Sequence, residues 1–411
     1  MKILILGNNI YASDLIKAAQ DRGFYTIVTD NLPADKSPVK AIADEAWGIS
    51  VLDFDVLEQK CKKEGINAIT CGASEVCISA NRELCKRLNL PFYASDKGWE
   101  ITNDKAKFKE SRRQCHIPTP VGYSLDINFK QEDLKNISYP VVVKPVDRAS
   151  SIGLHICDNE EELIAGYKDA YEKSASKKVI VEEFVKGEQV GVIYACMAGK
   201  PLAIISGDDC ASLTDSTRRV FGASPTKHAA LYKSEIENHL EDLFKELEIT
   251  KGVAGIQCIT DGTTIKVLEM NYRLPGGNNP MGHILTNVML DTAIGQDNKY
   301  DVPASPTQLF SYALWLKPGK IGQITGLDDL KNNIENCTIQ QIKHEGDEVE
   351  KGSGMRQILA FVLFYTDFSK HASVVDKINN SVKVISADGE DMLERFRFEN
   401  GYAITVEKET N

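Results

Sequence analysis

At 411 residues the chain is longer than one ordinary hydrophobic core, so two or three domains are expected. Its 42% hydrophobic and 26% charged residues are those of a globular protein, without low-complexity tracts or internal repeats. The formal charge of −11 argues against a general nucleic-acid or anionic-membrane surface, since neutralising phosphates takes a basic footprint, yet it is compatible with a local cationic pocket for a nucleotide.

The opening, MKILILGNN, reads as a strand over Lys2–Leu6, a turn at Gly7-Asn8-Asn9 and a helix to about Gln20. It lacks the basic region and long apolar core of a secretory leader, and no apolar run reaches membrane-spanning length. Ten cysteines lie singly between Cys61 and Cys337 without a C-x-x-C pair, so reduced thiols and a cytoplasmic location are expected. Seven histidines show no H-E-x-x-H spacing, so zinc is not expected. A strand at Tyr25–Asp30, a helix at Val56–Glu64, a strand at Ala68–Cys71 and a helix at Ser74–Leu88 complete a doubly wound parallel sheet up to about residue 100. Gly7 and Asp30 sit where a dinucleotide fingerprint would begin. Only one glycine is present, however, and Asp30 reads as a turn or cap residue, so a nicotinamide oxidoreductase is the weaker reading.

A lysine-rich helix over Asn103–Cys115 then leads to the extended Ile117-Pro-Thr-Pro120. Strands follow at Tyr139–Pro145 and Lys178–Phe184, then a long polar segment from Gly207 to Lys227 and a helix at Ser234–Leu247. Val253–Ile259 and Thr264–Met270 form a strand pair around an Asp261-Gly262 turn. From about residue 305, a strand (Gln357–Tyr365), a helix (Ser369–Asn379) and a strand (Val382–Ile385) suggest a third, α+β domain.

Four segments carry chemistry. Lys144 ends a β-branched run, Val141-Val-Val-Lys, where a buried ammonium needs an anion, either a structural carboxylate or a nucleotide phosphate. The small residues Ser150, Ser151 and Gly153 directly after it let backbone N–H groups close over phosphate oxygens, although the Walker ending is absent. In Glu182-Glu183-Phe184-Val185-Lys-Gly-Glu188 a strand runs into a polar hinge that could present its backbone to a base edge and a carboxylate to a ribose. The fourth segment places Glu269 and Asn271 on one strand face. A three-residue hairpin loop would bring Gln257 to that face and a two-residue loop would put it opposite. One carboxylate with two amide oxygens suits magnesium when phosphates complete the shell. Arg273 follows on the same side, able to neutralise a transferring phosphoryl group.

In this order the segments resemble an ATP-grasp enzyme over roughly residues 101–300, of the carbamoyl-phosphate-synthetase and biotin-carboxylase type. The resemblance implies a three-part architecture: an N-terminal doubly wound parallel sheet (1–100), a two-lobed ATP-grasp domain (101–304) and a small C-terminal α+β domain (305–411). It implies ATP held by Lys105, Lys144, Ser150, Ser151, Gly153, Glu182, Glu183, Phe184, Val185 and Glu188, and Mg2+ or Mn2+ held by Gln257, Glu269 and Asn271. Arg273 and Lys144 would be catalytic. Glutamine at the first metal position is similar to the carbamoyl-phosphate-synthetase branch, whereas many relatives carry an acid there.

The implied reaction is a carbon–nitrogen ligation: ATP phosphorylates a small carboxylate, an amino acid among the candidates, and an amine takes the acyl group. The expected partners are these small molecules, and a homodimer is the assembly allowed for. Arg273-Leu-Pro-Gly-Gly looks closest to the L-amino-acid ligase branch. Biotin carboxylases place a bicarbonate-activating glutamate where Gly276 and Gly277 stand. Those glycines either border the acceptor site or form a tight turn. Arg218 and His228 are candidate substrate contacts in a segment that otherwise reads as a solvated loop. The rival readings are bicarbonate activation and a non-catalytic nucleotide-binding module.

Overall fold

The computed structural model describes residues 1–9, 11–148, 152–212, 218–275, 281–302, 308–351, 354–399 and 402–406. The apolar runs near the N-terminus form β1 (Lys2–Leu6), β2 (Tyr25–Thr29), β3 (Glu45–Trp47) and β4 (Ala68–Cys71), a sheet ordered β3-β2-β1-β4 with every pairing parallel. Helix α1 (Ala12–Asp21) connects β1 to β2, α2 (Phe54–Glu64) connects β3 to β4, and α3 (Glu75–Leu88) follows β4. Leu15, Ile16 and Ala19 on α1 recur at helical spacing and are fully buried. Asp30 accepts from Ser37 Oγ (2.6 Å), the Leu32 N–H (2.8 Å) and Lys40 Nζ (3.0 Å), the bonding of a turn residue.

The expected helix at 103–115 is α5 (Lys105–Gln114), preceded by a short helix that the sequence reading did not include, α4 (Asp96–Thr102). Asp104 separates them as the N-cap of α5, its Oδ1 accepting from the N–H groups of Ala106 (2.9 Å) and Lys107 (3.0 Å). Next comes a small antiparallel sheet of β5 (Gly122–Tyr123), β6 (Val141–Pro145), β7 (His155–Cys157) and β8 (Val179–Glu183), ordered β5-β8-β6-β7. The helix Glu160–Lys173 covers it, and Val141, Val143, Leu163, Tyr167 and Val181 close a separate core.

The large sheet contains β9 (Glu188–Met197), β10 (Lys200–Ala211), β11 (Arg219–Ser224), β12 (Gly252–Thr260), β13 (Ile265–Asn271) and β14 (Leu309–Leu316). Its order is β13-β12-β9-β10-β11-β14, continued by Ile358–Tyr365 and Thr338–Gln341. The expected polar segment 207–227 is therefore largely strand: the end of β10 and all of β11. Most of its residues are half-exposed, so the sequence shows no apolar alternation there, with only Val220 and Phe221 buried among the residues of β11. β9, β12 and β13 share one core with the N-terminal sheet, whereas β14 and Ile358–Tyr365 belong to a second. Among the described residues no helix is long and apolar enough to cross a membrane.

Candidate active site

Helix α5 lays Lys105, Lys109 and Arg112 along one face at i, i+4 and i+7. Lys105 Nζ donates to the Arg148 carbonyl at 2.6 Å, at the entrance to residues 149–151. Lys109 Nζ and Lys144 Nζ clasp the two oxygens of Glu182, at 2.7 and 2.8 Å. Lys144 thus has the structural carboxylate as its partner. The Glu182 side chain is only 4% exposed. Burial would raise its pKa, but Lys144 and Lys109 outweigh that and hold it at about 2. Burial pushes the Lys105 ammonium down, with Glu269 opposing and Lys144 reinforcing, so these three groups share one neighbourhood. Behind them, burial lowers Arg112 to about 10. Its guanidinium lies 4.7 Å from the Phe108 ring and donates to the Val267 carbonyl, tying α5 to β13.

On β12 and β13 the predicted metal residues come together, by neither the three-residue nor the two-residue loop weighed from the sequence. Thr260 pairs with Ile265, leaving a four-residue loop, 261–264, organised by Asp261 Oδ1 accepting from the N–H groups of Thr263 (2.8 Å) and Thr264 (2.7 Å). A four-residue loop alone would set Gln257 opposite Leu268. A β-bulge at Leu268 shifts the register, so Gln257 lies across from Glu269 and Gly255 across from Asn271. The result is a polar ladder. In the amide orientation that satisfies both of its neighbours, the Gln257 NH2 donates to Glu269 Oε1 at 2.6 Å, and Asn271 Nδ2 approaches the same oxygen at 3.3 Å. Arg273 Nη2 donates to Asn271 Oδ1 at 3.2 Å, and Arg273 Nε pairs with Glu75 at the start of α3. Tyr93 and Tyr272 each donate to the other's carbonyl, at 2.8 and 3.0 Å, fixing this strand end against the preceding domain.

The hinge after β8 joins the two sheets. The N–H groups of Glu183 and Phe184 are taken by the carbonyls of Val121 (2.9 Å) and Pro140 (3.0 Å). Among the described residues nothing accepts from the Val185 N–H, so that donor is available to a bound base. The Glu183 carboxylate accepts from the Val121 N–H at 2.8 Å and pairs with Lys266 on β13. At Gly187 a Cβ would lie 2.1 Å from the Thr260 carbonyl oxygen, so only glycine lets the hinge pass the end of β12. Glu188 opens β9 and accepts from Lys227 Nζ (2.7 Å) and His228 Nε2 (2.8 Å). Those bonds outweigh the upward push of burial and lower its pKa.

His228 therefore stands beside the predicted ribose carboxylate. Arg218 turns the other way, pairing with Glu394 at 2.6 Å and lying 5.1 Å from the Trp315 ring on the C-terminal part of the sheet. Ser150, Ser151, Gly276 and Gly277 lie outside the described residues. Gly153, just past the former pair, has φ +73°. Sequence reasoning missed Lys109, Arg112 and Glu75, and read Arg219 as one of the basic residues of a solvated loop rather than as a neighbour of Gln257. The first two were within reach, because they continue the Lys105 face at helical spacing. Arg219 depends on β11 being a strand, and Glu75 on the docking of the N-terminal sheet.

Residues 102–277 match the family described as an ATP-grasp domain. The carbamoyl phosphate synthase large chain of Clostridium botulinum is 23% identical over 278 residues, covering 64% of this chain and 25% of that protein. The chain spans a quarter to about half the length of the curated relatives it matches. Among solved structures, the L-amino acid ligase from Bacillus licheniformis superposes with a TM-score of 0.76 at 16% identity, covering 94% of this chain and 98% of that one. The biotin carboxylase domain of Hydrogenobacter thermophilus 2-oxoglutarate carboxylase, in complex with MgADP and bicarbonate, gives a TM-score of 0.75 at 17% identity, covering 95% and 91%. The family match identifies residues 102–277 as an ATP-grasp domain, and the mixed parallel and antiparallel sheets of the whole chain share the fold of these solved structures.

Proposed function

We propose that this protein is an ATP- and magnesium-dependent carboxylate–amine ligase, with the three-part division at 1–100, 101–304 and 305–411. The γ-phosphoryl group of ATP passes to a small carboxylate, giving an acyl phosphate and ADP. An amine then attacks the acyl carbon, expelling phosphate and forming an amide. The observation that carries this reading is the ladder Gln257–Glu269–Asn271–Arg273, on the sheet facing the lysines of α5 and β6.

The residues present suit magnesium, since one carboxylate flanked by amides offers oxygen ligands of low charge and leaves room for phosphate oxygens. Glu269 and Asn271 would hold the ion. When bound, it would neutralise phosphate charge and orient the transferring group. Lys105 and Lys144 place ammonium groups beside the phosphates, and Arg273 lies at the far end of the ladder, where the carboxylate would enter. Glu182, fixed by Lys109, positions Lys144. The Val185 N–H meets the base edge, and Glu188 the ribose. The relatives' names support ligation in general, and an amino acid is the carboxylate favoured by the likeness to the L-amino acid ligase. Bicarbonate is the second reading, favoured by the likeness to the bicarbonate-bound carboxylase domain.

The test is ADP release from MgATP with pooled carboxylates and hydroxylamine as a general nucleophile. ADP together with a hydroxamate is expected. Release driven by bicarbonate alone would shift the reading to carboxylation, and nucleotide binding without release from any pool would refute a ligase.

A further inference from the structure

Gln257 stands where the first cation ligand is expected, yet its oxygen already faces a cation. In the amide orientation that satisfies both of its neighbours, the NH2 donates to Glu269 Oε1 and the oxygen accepts from Arg219 Nη2 at 2.8 Å. Arg219 is anchored from behind. Its Nη1 pairs with Asp209 Oδ2 at 2.9 Å, its Nη2 also reaches Gln189 Oε1 at 3.3 Å, and its carbonyl accepts from Trp315 Nε1 at 3.0 Å. Gly191 pairs with Gln257 across β9, and a Cβ added there would meet nothing within 4 Å. The surface beside Gln257 is thus open enough for a guanidinium to lie along it.

We propose that Arg219 takes the place of a second divalent cation at Gln257, so that the site binds a single magnesium ion on Glu269 and Asn271. This rests on the ligase reading above. A divalent cation on the Gln257 oxygen would sit within a few ångströms of the guanidinium. Repulsion at that range is strong, and a neutral amide offers nothing to offset it. Among the described residues no group of three or more His, Cys, Asp or Glu side chains could hold a metal, and the neighbours of Glu269 on the ladder are the amides of Gln257 and Asn271. No described residue donates to Glu269 Oε2, which leaves that oxygen for the one ion. Arg219 then does by side chain what a second ion would do: it presents positive charge to the phosphates without having to be recruited from solvent.

The test counts bound Mn2+ by the electron paramagnetic resonance signal of the free ion, with a non-hydrolysable ATP analogue whose binding is followed by calorimetry. One Mn2+ per chain is expected for the native protein, and two for Arg219→Leu combined with Gln257→Glu. Two ions in the native protein would overturn the proposal, as would a single ion in a folded double variant. No bound ion despite confirmed nucleotide binding would overturn it together with the cation assignment beneath. The native count decides by itself should the double variant fail to fold.

Discussion

The small sheet and the β12–β13 hairpin both carry charge toward the same cleft, and they handle it differently. On the small sheet, the buried Glu182 pairs with Lys109 at 2.7 Å and with Lys144 at 2.8 Å. On the hairpin, Glu269 is half-exposed and has amides for neighbours, with its cationic partners at the ends of the ladder. The cores differ in parallel. The hairpin shares the largest core with the N-terminal sheet, while the small sheet has its own. What joins the two walls is polar: Lys109–Glu182, Lys266–Glu183 and the Arg112 bond to Val267. A wall that folds on its own core and meets its neighbour through ion pairs can shift as a body, whereas the hairpin is fixed in place. The wall whose carboxylate is already paired is thus suited to close over a ligand, and the wall whose carboxylate has an open oxygen to receive one.

The contrast is broken most directly at Glu182. Glu182→Ala leaves two lysines facing each other without their carboxylate, and we expect a loss of about 3–5 kcal/mol in denaturant unfolding, confined to the small sheet's transition. The pH dependence has a defined sign. With its folded pKa lowered to about 2, Glu182 contributes stability that is fully present above about pH 4.5 and is lost as pH falls toward 2. Acid unfolding of the small sheet ahead of the remainder would support this, and coincident transitions would contradict it.

Glu269→Ala should do the reverse, leaving the melting curve nearly unchanged and lowering ADP release at least ~100-fold. Unchanged turnover would remove Glu269 from the cation site. Gly187→Ala tests the joint between the walls. With a Cβ 2.1 Å from the Thr260 oxygen, a cost of roughly 1–3 kcal/mol is expected, read as a lower melting temperature. The smallest effect should be at Lys266→Ala. Its pair with Glu183 is a quarter exposed, so no more than about 1 kcal/mol is expected by chemical denaturation. A loss as large as that of Glu182→Ala would erase the distinction between the walls.

How far the sequence reveals this depends on the range of the interaction. Local patterns were legible: the parallel N-terminal sheet from its apolar runs, Lys144 from its β-branched strand, and Glu269 and Asn271 from a period of two. The α5 face was legible too, had the spacing of Lys109 and Arg112 been followed from Lys105. β10 and β11 were hidden because the large sheet turns half-exposed polar residues toward the cleft there, where alternation in hydropathy vanishes. Arg218 and Arg219 are adjacent, yet one pairs with Glu394 and the other reaches Gln257. Arg219 opens β11 and Arg218 stands just before it, so only the tertiary placement of this strand separates them.

The bulge at Leu268 bears on how this chain tolerates changes in length. Eleven residues separate Gln257 from Glu269, four in the turn and one of them the extra residue of the bulge. For the two side chains to meet across an antiparallel pair, only the parity of that interval matters: a three-residue turn without a bulge would serve as well. A single insertion or deletion anywhere in the interval would rotate Gln257 to the opposite side of the sheet and separate it from Arg219 and Glu269, unless the bulge moved to compensate. Paired insertions would lengthen the hairpin and leave the site intact, so natural variation here should come in steps of two.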